Sequence, residues 1–275
     1  MSRHYFDHAA TTPIDPRVLD CMEAVHRGAF GNPSSLHAEG RESRRHLEDA
    51  RESVAADLGA AHASEVVFTG TATEANDLAL CGLAARLPTG RTAILASPIE
   101  HPSVIETLEE LEDQGHPVRW LSVSRTGRID LSQAPEQLAA DVGYSAMMWV
   151  NNETGVIQPI EEWAALCRDR GILTHCDAVQ AAPRLPIDLS CVPIDTLTIS
   201  AHKLNGPKGV GALFVRRETP MKPRLLGGGQ ERGRRAGTEN VAGAVGLAKA
   251  LRLAIEERQQ RRAGQAALEQ RLIET

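Results

Sequence analysis

The chain has 275 residues, 30 Lys and Arg against 36 Asp and Glu, a formal net charge of −6, 42% apolar residues and 24% charged ones. That composition excludes a disordered chain, and the length excludes a mini-protein that needs staples to hold a core. No apolar run of about 18 residues occurs, and the opening MSRHYFDHAATTP contains no apolar leader core, so no membrane span or secretory signal is expected. The mild acidity argues against nucleic acid as the main ligand, since duplex binding draws on a basic face.

In chain order, residues 15–60 read as two helices separated by the turn-rich loop GNPSSLHAEG. Beyond them, β-rich runs at 65–70, 92–99, 118–123, 144–151, 172–178, 196–202 and 211–216 alternate with helical stretches at 71–87, 101–115, 132–141 and 159–170. This alternation predicts an α/β fold, a mostly parallel sheet covered by helices on both faces. Too few residues join the last two strands for a crossover helix, so those two are expected to be antiparallel neighbours and the sheet mixed. The Gly- and Arg-rich loop 226–240 follows, then a single helical segment from 241 that runs to the last residue. Five cysteines, at 21, 81, 167, 176 and 191, form no C-x-x-C pair, which argues for the cytoplasm and against a disulfide framework or structural zinc. His175 and Cys176 are adjacent, but on a strand they face opposite sides, and no metal site is expected.

Three segments carry chemistry. In TISAHKLNGPKG, Lys203 stands at the end of an apolar strand, where it is either an amine nucleophile desolvated by the fold or an ordinary strand-end lysine. Ser200 and His202 alternate with Ala201 and can face one ligand. In HCDAVQ, Asp177 lies at the edge where open α/β sheets bind ligands, so it is an acid for a heterocyclic nitrogen or a cap for the next turn. A lysine that forms a Schiff base and an acid for a pyridine nitrogen are two parts of a pyridoxal phosphate site. In TGTATEAN, Thr71 and Glu74 form a T-x-x-E capping box, and the helix it opens offers the N–H groups of Ala72 and Thr73, with the Thr73 hydroxyl, to an anion. No G-x-x-x-x-G-K-[ST] or G-x-G-x-x-G pattern accompanies them, so a nucleotide site lacks support.

Eight ordered segments, YFDHAATTP, GNPSSLHAEGR, FTGTATEAN, EHPSV, VNNETGVIQPI, HCDAVQ, SAHKLNGPKGVGAL and GGGQERGRRAGTEN, make the chain resemble cysteine desulfurases of the NifS and IscS type. These belong to the class V aminotransferases, with the fold type I of pyridoxal phosphate-dependent transferases. The resemblance implies Lys203 as the lysine that bonds pyridoxal 5'-phosphate and Asp177 as partner of the pyridine nitrogen. It implies His101 stacked over the ring and moving protons, and Asn152 and Gln180 bonded to the substrate side or the ring hydroxyl. Ala72, Thr73, Ser200 and His202 would hold the phosphate, with Thr238 reaching in from the partner subunit of a homodimer. Arginines 232, 234 and 235 read either as a solvated loop or as further phosphate ligands.

The implied activity is conversion of L-cysteine to L-alanine with transfer of sulfur to an enzyme cysteine, for iron–sulfur cluster or thio-cofactor assembly through a scaffold protein. The family pattern continues for about a hundred further residues into a small domain with the nucleophilic cysteine and a carboxylate-clamping arginine. On this reading residues 1–14 join that small domain, 15–257 form the cofactor-binding large domain, 258–275 begin the connecting helix, and the sequence is truncated. None of the five cysteines stands at the position of the family nucleophile. The alternatives are a non-catalytic pyridoxal phosphate-binding or dimer-partner protein, and a related class V enzyme such as a selenocysteine lyase or an aminotransferase.

Overall fold

Seven short strands, six of them buried at nearly every position, build the centre of the molecule. The computed structural model describes residues 4–274. The strands are Val66–Thr69 (β1), Ala93–Ala96 (β2), Val118–Trp120 (β3), Val142–Ala146 (β4), Leu173–Asp177 (β5), Thr196–Ser200 (β6) and Gly211–Val215 (β7), in the order β1-β7-β6-β5-β4-β2-β3. β7 runs antiparallel to both of its neighbours, and every other pairing is parallel. The sheet is mixed and mostly parallel, as the short β6–β7 connection requires.

The helices are Pro16–Gly28 (α1), Ala38–Leu58 (α2), Ala72–Ala84 (α3), Pro102–Asp113 (α4), Ala134–Gln137 (α5), Ile160–Asp169 (α6), Val241–Glu256 (α7) and Arg258–Ile273 (α8). Because strand side chains alternate, the strands feed cores on both faces. Phe68, Cys176, Leu197, Ile199 and Phe214 pack with Leu47 and Val54 of α2, Trp163 of α6 and Leu247 and Leu251 of α7. On the other face Ile94 and Tyr144 meet Leu80, Leu83, Leu108 and Leu111 of α3 and α4, while Val67 and Leu213 meet Leu78. Each such aliphatic side chain, fully withdrawn from water, contributes about 1.5–3 kcal/mol.

Several boundaries differ from the sequence reading: β2, β3 and β4 are shorter than the runs read at 92–99, 118–123 and 144–151, and four further differences have a local cause. The helix expected over 132–141 is only a 3₁₀ turn at Leu131–Gln133 and the single turn of α5, because Pro135 can open a helix but little apolar surface follows to extend it. α2 starts inside the expected loop, at Ala38, since the His37 ring accepts the Gly40 N–H and caps it. The segment from 241 divides at Glu257, whose carboxylate is drawn to Arg17 and Arg261. β6 ends at Ser200, so His202 and Lys203 lie in a 3₁₀ turn, Ala201–Lys203, beyond the strand. Among the described residues no helix is long and apolar enough to cross a membrane, and no cluster of metal-ligating side chains occurs.

Candidate active site

The carboxyl ends of the parallel strands point one way, and the ligand crevice of such sheets opens there. A cavity of about 790 Å³ occupies this edge, lined by Thr71, Ala72 and Thr73 after β1, His101 and Ser103 at the start of α4, Met148 and Asn152 after β4, Asp177 and Gln180 at the end of β5, Ser200 at the end of β6, and His202 and Lys203 just after it. Sequence reasoning chose nine of these side chains and α3 positions as site residues, from five separate elements, and the fold brings all nine to one cavity. Thr238 lies elsewhere in the same chain, in a smaller recess of about 170 Å³ with Phe68, Gly70, Glu231 and Arg235.

At one end of the cavity is the start of α3. Thr71 caps it by accepting the Glu74 N–H at 3.0 Å. The Glu74 carboxylate takes the Gly70 N–H at 2.7 Å, one residue earlier than a capping box would. The N–H groups of Ala72 and Thr73 find no acceptor among the described residues, so this end of the helix is open to an anion. Gly211 permits the approach: a Cβ there would lie 2.8 Å from the Thr71 carbonyl carbon.

Lys203 stands at the other side. Its ammonium donates to the carbonyls of Ala9 and Ala10, the latter at 2.7 Å. Burial, and then the neighbouring Arg184 guanidinium, pull its pKa below the usual lysine range, which favours the nucleophilic neutral amine. The N-terminal segment is laced over this turn. Thr12 donates both its N–H and its hydroxyl to the His202 carbonyl, at 2.9 and 2.8 Å, and accepts the Asn205 N–H at 2.9 Å. Gln180 is held by Arg184, which donates to its side-chain oxygen at 2.7 Å, while its amide nitrogen donates to the Ala9 carbonyl at 3.0 Å.

Asp177 closes the next turn and also faces the cavity. One carboxylate oxygen accepts the Val179 N–H at 2.9 Å, an Asx-type turn, and the other accepts from Asn76 at 2.9 Å, yet the side chain also lines the cavity. Burial pushes its carboxyl up, opposed by those two hydrogen bonds. Alternation turns Cys176 into the opposite core, so its thiol, raised far above the usual range by burial, does not face this site. None of the five cysteines lines the cavity. The three arginines of the loop are committed inside the chain: Arg232 to Glu48 at 2.7 Å, Arg235 to Glu74 at 2.6 Å, and Arg234 to the Ser64 carbonyl at 2.9 Å. That loop is fixed by Glu231, buried, which binds Arg51 through both oxygens at 2.6 and 2.9 Å.

Glu100, beside His101, was not singled out in the sequence. It is buried, accepts the Met148 N–H at 2.5 Å, and its second oxygen has no hydrogen-bond partner among the described residues. Burial pushes its carboxyl to about 8. The folded chain therefore holds a proton that the unfolded chain releases near the ordinary value of 4.5. The resulting stability is fully present below that ordinary value and is lost as pH rises through about 8. Each unit of difference corresponds to about 1.4 kcal/mol, so the loss is on the order of a few kcal/mol. Glu100→Gln keeps the acceptor without the charge, and urea titrations at pH 5 and 8 should find its stability falling less than the wild type's; parallel falls would refute the assignment.

The class-V aminotransferase domain pattern matches residues 4–275. The chain belongs to the class-V aminotransferase family. It is 48% identical over 92% of its length to a cysteine desulfurase of Enterobacter agglomerans, and 48% identical over 95% of its length to the putative cysteine desulfurase IscS 1 of Bacillus subtilis. It spans 63% and 69% of those two proteins. Among solved structures, a NifS-like protein aligns with a TM-score of 0.96 and 38% identity over 99% of this chain and 75% of that one. Class-V aminotransferases of this kind use pyridoxal phosphate, and the cavity fits the group. It offers an amine that burial makes nucleophilic, a buried carboxylate on a neighbouring strand, and a helix start with uncommitted N–H groups for the phosphate.

Proposed function

We propose that this class-V aminotransferase chain carries the pyridoxal phosphate site of a cysteine desulfurase, which takes sulfur from L-cysteine and leaves L-alanine. The observation that carries the reading is the lysine, acid and open helix start on the walls of one cavity. The relatives named cysteine desulfurase support the choice of substrate. When bound, the cofactor supplies an electron sink for the substrate Cα. Lys203 would bond it and would move the proton of the substrate Cα together with His101. Asp177 would supply the negative charge that a protonated pyridine nitrogen needs. Asn152 and Gln180 orient the ring and substrate, while Ala72, Thr73, Ser200 and His202 hold the phosphate. A homodimer, with Thr238 serving the partner's site, belongs to the same proposal, and the exposure of Phe30, Leu36 and Leu226 supports a covered surface in the assembly. An iron–sulfur scaffold protein is the proposed acceptor of the sulfur and the cytoplasm the proposed location, which five unpaired cysteines support.

Transfer of sulfur needs a thiolate that forms an S–S bond to the substrate sulfur as the Cβ–S bond breaks. The five cysteines here are poorly placed for it: none lines the cavity, Cys176 is sealed in the opposite core, and burial pushes the Cys81 and Cys167 thiols up to about 12. We therefore assign the attacking thiol to none of them. With pyridoxal phosphate and L-cysteine, the 275-residue chain alone should bind the cofactor and release little or no sulfide or alanine. Turnover that disappears on replacing one of these five cysteines would overturn that assignment.

A further inference from the structure

Asn76, fully buried on α3, is the junction of a hydrogen-bonded chain beneath the cavity. Its amide nitrogen lies 2.9 Å from Oδ2 of Asp177 and 2.9 Å from Oγ of Ser103, so both amide hydrogens are donated. Its oxygen faces Nε2 of His175 at 3.2 Å, and Nδ1 of that ring faces the Thr196 hydroxyl at 2.9 Å. The amide cannot be reversed, because its oxygen would then oppose the Asp177 carboxylate. His175 must accordingly donate from Nε2 and accept from Thr196 at Nδ1. Complete burial, which holds the His175 ring down to about 3, keeps it neutral and able to do both. On the other branch, Ser103 accepts from Asn76 and so gives its own hydroxyl proton to Nδ1 of His101 at 2.8 Å. The same Nδ1 accepts the Ser103 N–H at 3.1 Å. The donors thus run in one direction, from Thr196 through His175 to Asn76, and divide there between Asp177 and His101.

We infer that Asn76 is a positioning residue that orients Asp177 directly and His101 through Ser103, and that His175 fixes the direction in which its amide points. This rests on the roles proposed above for Asp177 and His101. It adds that acid and histidine are set by one shared side chain, so that His101 is left with its ring proton on Nε2 and Nδ1 committed to the fold.

Histidine-ring ¹⁵N NMR of the cofactor-free chain tests it, with His101→Gln and His175→Gln assigning the two signals. Both rings should be Nε2–H tautomers. Asn76→Ala should convert His175 largely to the Nδ1–H form, because its Nε2 proton then has no acceptor while Thr196 can accept at Nδ1, and should weaken pyridoxal phosphate at least about tenfold in equilibrium dialysis. Should that variant fail to fold, Ser103→Ala, at a half-buried position, tests one branch: His101 should gain Nδ1–H population while His175 stays unchanged. A wild-type His175 carrying its proton on Nδ1, or unchanged tautomers in the folded variants, overturns the inference. Failure of the wild-type chain to take up pyridoxal phosphate would instead overturn the functional reading, since the tautomers are read without the cofactor.

Discussion

Lys203→Ala should abolish the covalent attachment of pyridoxal phosphate that borohydride fixes in the wild-type chain. The chain has four lysines in all, and only Lys203 and Lys208 line the cavity. Lys208 is exposed, whereas Lys203 is half-buried, with its pKa lowered by burial and then by Arg184, and a larger fraction of its amine is neutral at any given pH. Peptide mapping after borohydride treatment should place the label on Lys203, none should remain in Lys203→Ala, and Lys208→Ala should retain it. Label of equal amount in Lys203→Ala would move the bond to another residue and remove the central element of the proposed site. The substitution also deletes the donations to the Ala9 and Ala10 carbonyls, so the N-terminal segment should become more accessible to protease.

Much of this arrangement was legible because it is local. The β5 segment reads HCD, and strand alternation alone separates Cys176 from Asp177 and sends one to each face. Thr71, Ala72 and Thr73 follow a strand directly, so a capped helix start at the ligand edge follows from spacing. The turn carrying Lys203 was less legible. Its shape depends on Asn205 in the left-handed region at φ 60° and on Thr12, 193 positions away, accepting the Asn205 N–H. No pattern within the segment encodes that partner. Asn76 could have been noticed, since it stands one helical turn after Ala72 on the same face of α3. What makes it a junction is its pairing with Asp177 and His175, about a hundred positions on, which only the sheet order creates. Glu100 escaped for a related reason: its neighbour His101 carries the apparent chemistry, while its carboxylate meets the Met148 N–H, 48 positions on.

Asp177→Asn should leave pyridoxal phosphate bound through Lys203 but slow exchange of a substrate's Cα proton with solvent. The amide is close in shape, and replacing a buried carboxyl that burial already disfavours as an anion should leave the fold intact. It does, however, present no negative charge to a protonated ring nitrogen, and its NH₂ group competes with Asn76, which donates to this position in the wild type. A hydrogen bond to a charged group contributes about 1.5–3 kcal/mol, which corresponds to a rate loss of about 10- to 150-fold if the bond is made chiefly at the reacting stage. Deuterium incorporation into L-alanine in D₂O measures this step without requiring sulfur transfer, so it can be read even where no thiolate is available. The expected result is equal borohydride-fixed cofactor in both proteins with slower exchange in Asp177→Asn. Equal exchange rates would mean that the carboxylate only closes the turn through the Val179 N–H, and the acid opposite the pyridine nitrogen would have to be sought among the other groups of the cavity.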